Sequence, residues 1–271
     1  MINWLLEPLA YGFMQRGLAA SVMVGVLCAV MGTYVVLRGM AFLGDAISHA
    51  ILPGIAIAYI IDGSLLIGAL AAAGAVAVGI GFFSRKGNLK EDTAIGILFA
   101  AALSLGVALI STMQTFAVDL SHIMFGNVLG VSTSDLWLTA VLGAGILITV
   151  GLLYKQFLVI SFDPILAATL RLPAELLRYA MLLLLALTVV VSLQTVGVGL
   201  SSAMLVTPAA TAYLLTRRLF PMMLVSALIG ALSSIVGLYL SFYLNIVSGA
   251  SIVLTATTFF LIAFLWKRMK R

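Results

Sequence analysis

An aspartate and a histidine, Asp45 and His49, stand four residues apart in the run GDAISHAILPG at 44–54, inside a chain that otherwise keeps charge out of its apolar stretches. On a helix that spacing puts both side chains on one face. A carboxylate beside an imidazole in an apolar segment is costly unless something occupies the pair. Hard oxygen next to borderline nitrogen suits a divalent transition metal and disfavours Mg²⁺ and Ca²⁺, which take oxygen shells. Ser48 adds a hydroxyl next door. Pro53 has no N–H to return to the His49 carbonyl, so the spacing predicts a loosened helix and a freed backbone oxygen. Broken helices occur in membranes mainly where backbone lines a cavity or binds an ion. The plainer alternatives are a hydrogen-bonded pair within the membrane, or Asp45 as an interfacial N-cap after Arg38. One copy supplies too few ligands for a closed shell. Two copies on a two-fold axis would supply two carboxylates and two imidazoles, a set suited to manganese, iron(II) or zinc.

The elements that hold this pair are membrane helices. Of the 271 residues, 63% are hydrophobic and 8% charged, and mean hydropathy is +1.25, against roughly 25% charged residues in a soluble domain. The expected fold is all-α: a polytopic helical bundle of eight or nine crossings, read as a single permease domain over 1–271. Apolar runs fall at 17–37, 46–61, 64–83, 93–111, 136–154, 179–193, 200–216, 222–244 and 252–266. The run around Pro53 and the Gly197–Gly199 break are candidates for partial crossings. Basic residues gather at 84–90, 155–178, Arg217-Arg218 and 267–271, which the positive-inside rule places in the cytoplasm. Nine crossings then put the N-terminus outside, and eight put it inside. The net charge of +5 belongs to these helix ends beside anionic lipid and calls for no nucleic acid. Small residues at 68–81, among them Ala71, Ala75 and Gly79, predict close helix packing. Cys28 is expected to be a small packing residue.

The run RGMAFLGDAISHAILPG at 38–54 closely resembles the hallmark segment of membrane permeases in the manganese/zinc/iron branch of ABC importers. HIMFGNVLGV at 122–131 is similar to that family's outer segment, and VGLSSAMLVTPAATA at 198–212 to its late motif. The resemblance implies a type II ABC importer permease in a bacterial plasma membrane. It implies a homodimer or close heterodimer with two ATP-binding cassette subunits below and an extracytoplasmic metal-binding protein above. It also implies that Asp45 and His49 hold the transported ion at the dimer axis, with Mn²⁺ the leading cargo and Zn²⁺ or Fe²⁺ the alternatives. No resident cofactor is expected. No GxxxxGK[ST] loop occurs, so ATP hydrolysis is expected in a separate chain and this one is expected to be no enzyme.

A cytoplasmic coupling element is expected at 207–221, with a helix started by Pro208, carrying Thr211, marked as internal by Arg217 and Arg218 and stopped by Pro221. The loop 163–178 is the second choice. Asp119 and His122, three apart in an outer segment, are either an entry vestibule for metal or solvated loop residues. Asp62 before Gly63 reads as a turn, and Glu91-Asp92 as helix capping. The twelve methionines form no cluster beside the pair and read as packing. A proton-coupled secondary transporter, a membrane enzyme and a purely structural subunit are the rival classes.

Overall fold

The computed structural model describes residues 7–87, 89–112, 128–162 and 164–270. Among them all regular structure is helical. Lipid offers no hydrogen bonds, so each crossing must satisfy its backbone within its own segment. The helices are α1 (Gly12–Leu37), α2 (Leu43–Ala50), α3 (Leu52–Ile60), α4 (Leu65–Lys86), α5 (Glu91–Ser111), α6 (Thr133–Leu152), α7 (Tyr154–Phe162), α8 (Pro164–Thr169), α9 (Ala174–Val196), α10 (Val198–Leu215), α11 (Leu219–Leu244) and α12 (Ser248–Met269). Nine spans among the described residues are long and apolar enough to cross a membrane, with α2 and α3 together forming one of 18 residues. With the C-terminal basic cluster inside, nine crossings place the start of α1 outside.

The α2/α3 crossing is broken at Ile51, two residues before Pro53. Pro53 thereby falls in the first turn of α3, where no backbone N–H is required. The His49 carbonyl, expected to be free, accepts the Ile51 N–H instead. Gly197 alone separates α9 from α10, at φ 82°, a left-handed conformation that glycine adopts without strain. The segment after this break is a full 18-residue helix rather than a partial crossing. Asp62 and Asn245, at φ 52° and 54°, close α3 and α11, a role their short polar side chains tolerate.

Contacts group the chain into two compact units, each assembled from separate stretches of sequence. The first contains the described parts of 1–36, 122–147 and 191–271. In it α11 is stitched to α1 by Ser226 and Ser234, whose hydroxyls donate to the Ala29 and Ser21 carbonyls, both at 2.8 Å. Cys28 is fully buried, its Sγ 3.1 Å from Ser192 Oγ, and serves packing as expected.

The second unit contains the described parts of 37–121 and 148–190. Here α3 and α4 cross backbone on backbone: a Cβ on Gly54 would strike the Gly68 carbonyl, and a Cβ on Gly68 the Gly54 carbonyl. Ala58 and Ala72, one turn further on each helix, complete the small-residue seam. The tight face of α4 therefore runs through Gly68 and Ala72. Ala71 and Ala75, two of the residues expected to make it, are exposed.

Candidate metal-transport site

Helix α2 is a single short amphipathic segment: Leu43, Gly44, Ala46, Ile47, Ser48 and Ala50 are buried. Asp45 and His49 are the partly open pair, with side chains 40% and 23% exposed. Asp45 lies in the first turn and His49 in the last, so the helix dipole favours negative charge at one and positive charge at the other. His49 Nε2 and Asp45 Oδ1 are 3.7 Å apart, beyond hydrogen-bond length. The two groups thus share a face without binding each other. The N-cap of α2 is Phe42, with no side-chain cap, so the N-cap alternative for Asp45 does not hold.

Ser48 is fully buried and its hydroxyl donates to the Gly44 carbonyl at 2.8 Å. Its proton is spent on its own helix. Pro53 is buried beneath α5, where a Cβ on Gly106 would come within 3.0 Å of Pro53 Cδ. Its part is to set the helix break and hold α3 against α5. Among the described residues no group of three or more His, Cys, Asp or Glu side chains gathers to hold a metal. Asp119 and His122 lie outside the described residues.

Phe99 of α5 is a positioning residue that sequence reasoning missed. Its ring meets His49 edge to face, centroids 5.9 Å apart, and meets Phe42 at 5.5 Å and 89°. Nothing distinguishes an aromatic at this place in an apolar helix until α5 is seen packing on α2. Such a pair contributes about 0.5–1.5 kcal/mol beyond burial. We expect Phe99→Ala to weaken metal uptake about two- to tenfold in KM, with unchanged amounts of protein in the membrane. Radiolabelled Mn²⁺ uptake in cells with matched membrane content checks this.

The expected coupling element differs in the structure. Pro208 does not start a helix; it sits inside α10, which begins at Val198. Pro208 and Thr211 are both buried, Thr211 donating to the Thr207 carbonyl at 2.8 Å. Neither is available at the surface for a partner. Arg217 and Arg218 are exposed in the break between α10 and α11. The second-choice loop holds the short helix α8, where Leu166 and Leu170 are 43% and 55% exposed.

Spanning helices that carry an acid/imidazole pair on an open face define a multi-pass membrane protein built to handle a cation within its span. Residues 10–267 match the ABC 3 transport family. The Halalkalibacterium halodurans manganese transport system membrane protein MntC is 48% identical over 258 residues, covering 95% of this chain and 88% of that one. A probable iron transport system membrane protein of Haemophilus influenzae is 40% identical over 270 residues, covering 100% of this chain and 99% of its own. A chain of PsaBC from Streptococcus pneumoniae, solved in complex with a Fab, superposes with a TM-score of 0.85 at 40% identity, covering 97% of this chain and 95% of that chain. The chain belongs to the ABC 3 transport family. It is a multi-pass bacterial membrane protein with the expected type II importer permease fold, and a transport subunit.

Proposed function

We propose that the chain is the permease of an ATP-driven importer of divalent transition-metal ions, with manganese as its main cargo. The observation that carries this is the open Asp45/His49 face, two metal-ligating groups 3.7 Å apart that do not bind each other. Relatives named for manganese transport, up to 50% identical, support the choice of metal. Two side chains per copy leave a shell that a second permease chain would complete across a two-fold axis. An extracytoplasmic binding protein delivers the ion, which gives up part of its water shell to the carboxylates and imidazoles. Two ATPase subunits then rock the dimer and open the site inward. Iron(II) is the second reading, favoured by the Haemophilus relative. Competition of Mn²⁺, Fe²⁺ and Zn²⁺ for uptake decides among them: the proposal expects Mn²⁺ to outcompete the others, and dominant inhibition by Fe²⁺ or Zn²⁺ reassigns the cargo. Uptake into vesicles supplied with ATP but no proton gradient separates the importer from a proton-coupled carrier.

Coupling to the ATPases is assigned to the exposed elements, Arg217-Arg218 and α8. Exposed leucines on a short cytoplasmic helix are the kind of apolar surface that marks a protein contact. We expect Leu166→Glu with Leu170→Glu, or Arg217→Glu with Arg218→Glu, to lower metal-stimulated ATP hydrolysis by at least about tenfold, as loss of interface anchors does. Mn²⁺ binding to the purified permease should be unchanged. ATPase assays of the reconstituted complex beside equilibrium dialysis measure both quantities.

A further inference from the structure

Within the second unit, Arg38, Arg85, Ile160, Ala174, Glu175 and Arg178 line a recess of about 290 Å³. Glu91 Oε1 accepts from Arg38 Nη2 at 2.5 Å and from Arg178 Nη2 at 2.7 Å, while Arg85 pairs with Glu175. Three guanidinium groups facing two carboxylates leave one positive charge uncompensated. Burial holds the Arg38 guanidinium below its ordinary range, with Glu91 opposing that shift and Arg178 adding to it. Donor capacity is also left over. Arg178 Nε is closed off from water and has no acceptor, and Arg38 Nη1 reaches only the Met181 thioether at 3.8 Å, a weak acceptor.

The recess lies at a defined depth. Arg38 directly follows α1, Arg85 is one residue from the end of α4, Glu91 opens α5 and Arg178 lies early in α9. All stand at the basic, cytoplasmic ends of crossings, the level of lipid headgroups. Beside them Phe83 and Leu176 are 47% and 67% exposed, so the polar recess adjoins an apolar surface suited to acyl chains. Guanidinium forks match the oxygens of a phosphate, and basic pockets between membrane helices on the cytoplasmic side suit anionic headgroups. We propose that this recess binds the phosphodiester headgroup of an anionic phospholipid of the inner leaflet, with Arg85 and Arg178 donating to the phosphate and Arg38 supplying the field behind it. The bound lipid would tie the ends of α4 and α9 together. A carboxylate on an ATPase subunit is the less suited partner, because Arg38 and Arg178, 12% and 25% exposed, lie too deep for a protein surface.

Native mass spectrometry of the full-length chain, titrated with phosphatidylglycerol or with phosphatidylcholine of the same acyl chains, tests this. The wild type is expected to retain phosphatidylglycerol preferentially. Arg85→Gln is expected to weaken that retention about fivefold, the effect of one basic side chain at a lipid surface, and to leave phosphatidylcholine unchanged. Arg178→Gln should weaken it at least as much; should that variant fail to fold, Arg85→Gln still decides, since Arg85 is half exposed and outside the Glu91 cluster. Equal retention of the two lipids, or a phosphatidylglycerol preference that survives Arg85→Gln, overturns the proposal. So does thermal stabilisation of the wild type by millimolar inorganic phosphate but not by phosphatidylglycerol, which would make the ligand a soluble anion. Loss of ATPase association in Arg85→Gln with lipid retention intact would overturn it in favour of a protein contact.

Discussion

Alanine at Asp45 or at His49 is expected to reduce manganese uptake to the background of cells lacking the permease, while leaving the protein in the membrane at normal levels. The pair is partly open and makes no hydrogen bond to any described residue, so removing either side chain breaks no internal contact of note. The fold should therefore survive what the transport does not. In a two-fold assembly each substitution deletes two ligands at once. Loss of a group that merely orients a ligand costs about 10–100-fold in metal affinity, and loss of the ligands themselves should exceed that. Mn²⁺ uptake normalised to membrane content measures the effect; near-normal uptake in both variants would remove the site from the pathway.

The second large effect is structural. Leucine at Gly68 is expected to prevent accumulation of folded protein, because any side chain there meets the Gly54 backbone carbonyl and Ala58 rather than a flexible neighbour. Overpacking a well-fitted site costs about 1–3 kcal/mol and more where backbone must move. Here the displaced partner is α3, so the damage passes directly into the Asp45/His49 segment. Val78→Leu, on the exposed face of the same helix, should stay within about 0.5 kcal/mol of wild type. Fluorescence-detected size-exclusion chromatography and thermal denaturation in detergent separate the two. A Gly68→Leu protein that is monodisperse, with unchanged Tm, would show that the α3/α4 seam is looser than described.

The crossings were readable because lipid imposes a simple rule of length and apolarity, and each of the nine runs contains or overlaps a spanning helix. The Asp45/His49 pair was readable for the same reason: charge in an apolar run is conspicuous. What could not be read depends on which face of a helix meets which neighbour. Small residues on α4 announced a close crossing, but not that Gly68 and Ala72 make it while Ala71 and Ala75 stay open. Proline announced a break, but the break falls at Ile51, where the Ile51 N–H takes the His49 carbonyl. At Pro208 the same rule misled. That proline is accommodated inside α10 and buried, since helices in membranes tolerate proline when their neighbours pack around it. Glu91 looked like a cap, and its bridge between Arg38 and Arg178 joins residues 53 apart and more, which no local pattern records. The division into two units was equally hidden, because the chain passes back and forth between them.

The measurement closest to the central claim is pulsed electron paramagnetic resonance of Mn²⁺ bound to the purified permease, with the bound metal counted per chain. The account predicts one ion for every two chains and a nitrogen coupling from a directly bound imidazole that disappears in His49→Ala. A manganese spectrum that shows water and oxygen ligands alone and is identical in wild type and His49→Ala would contradict it.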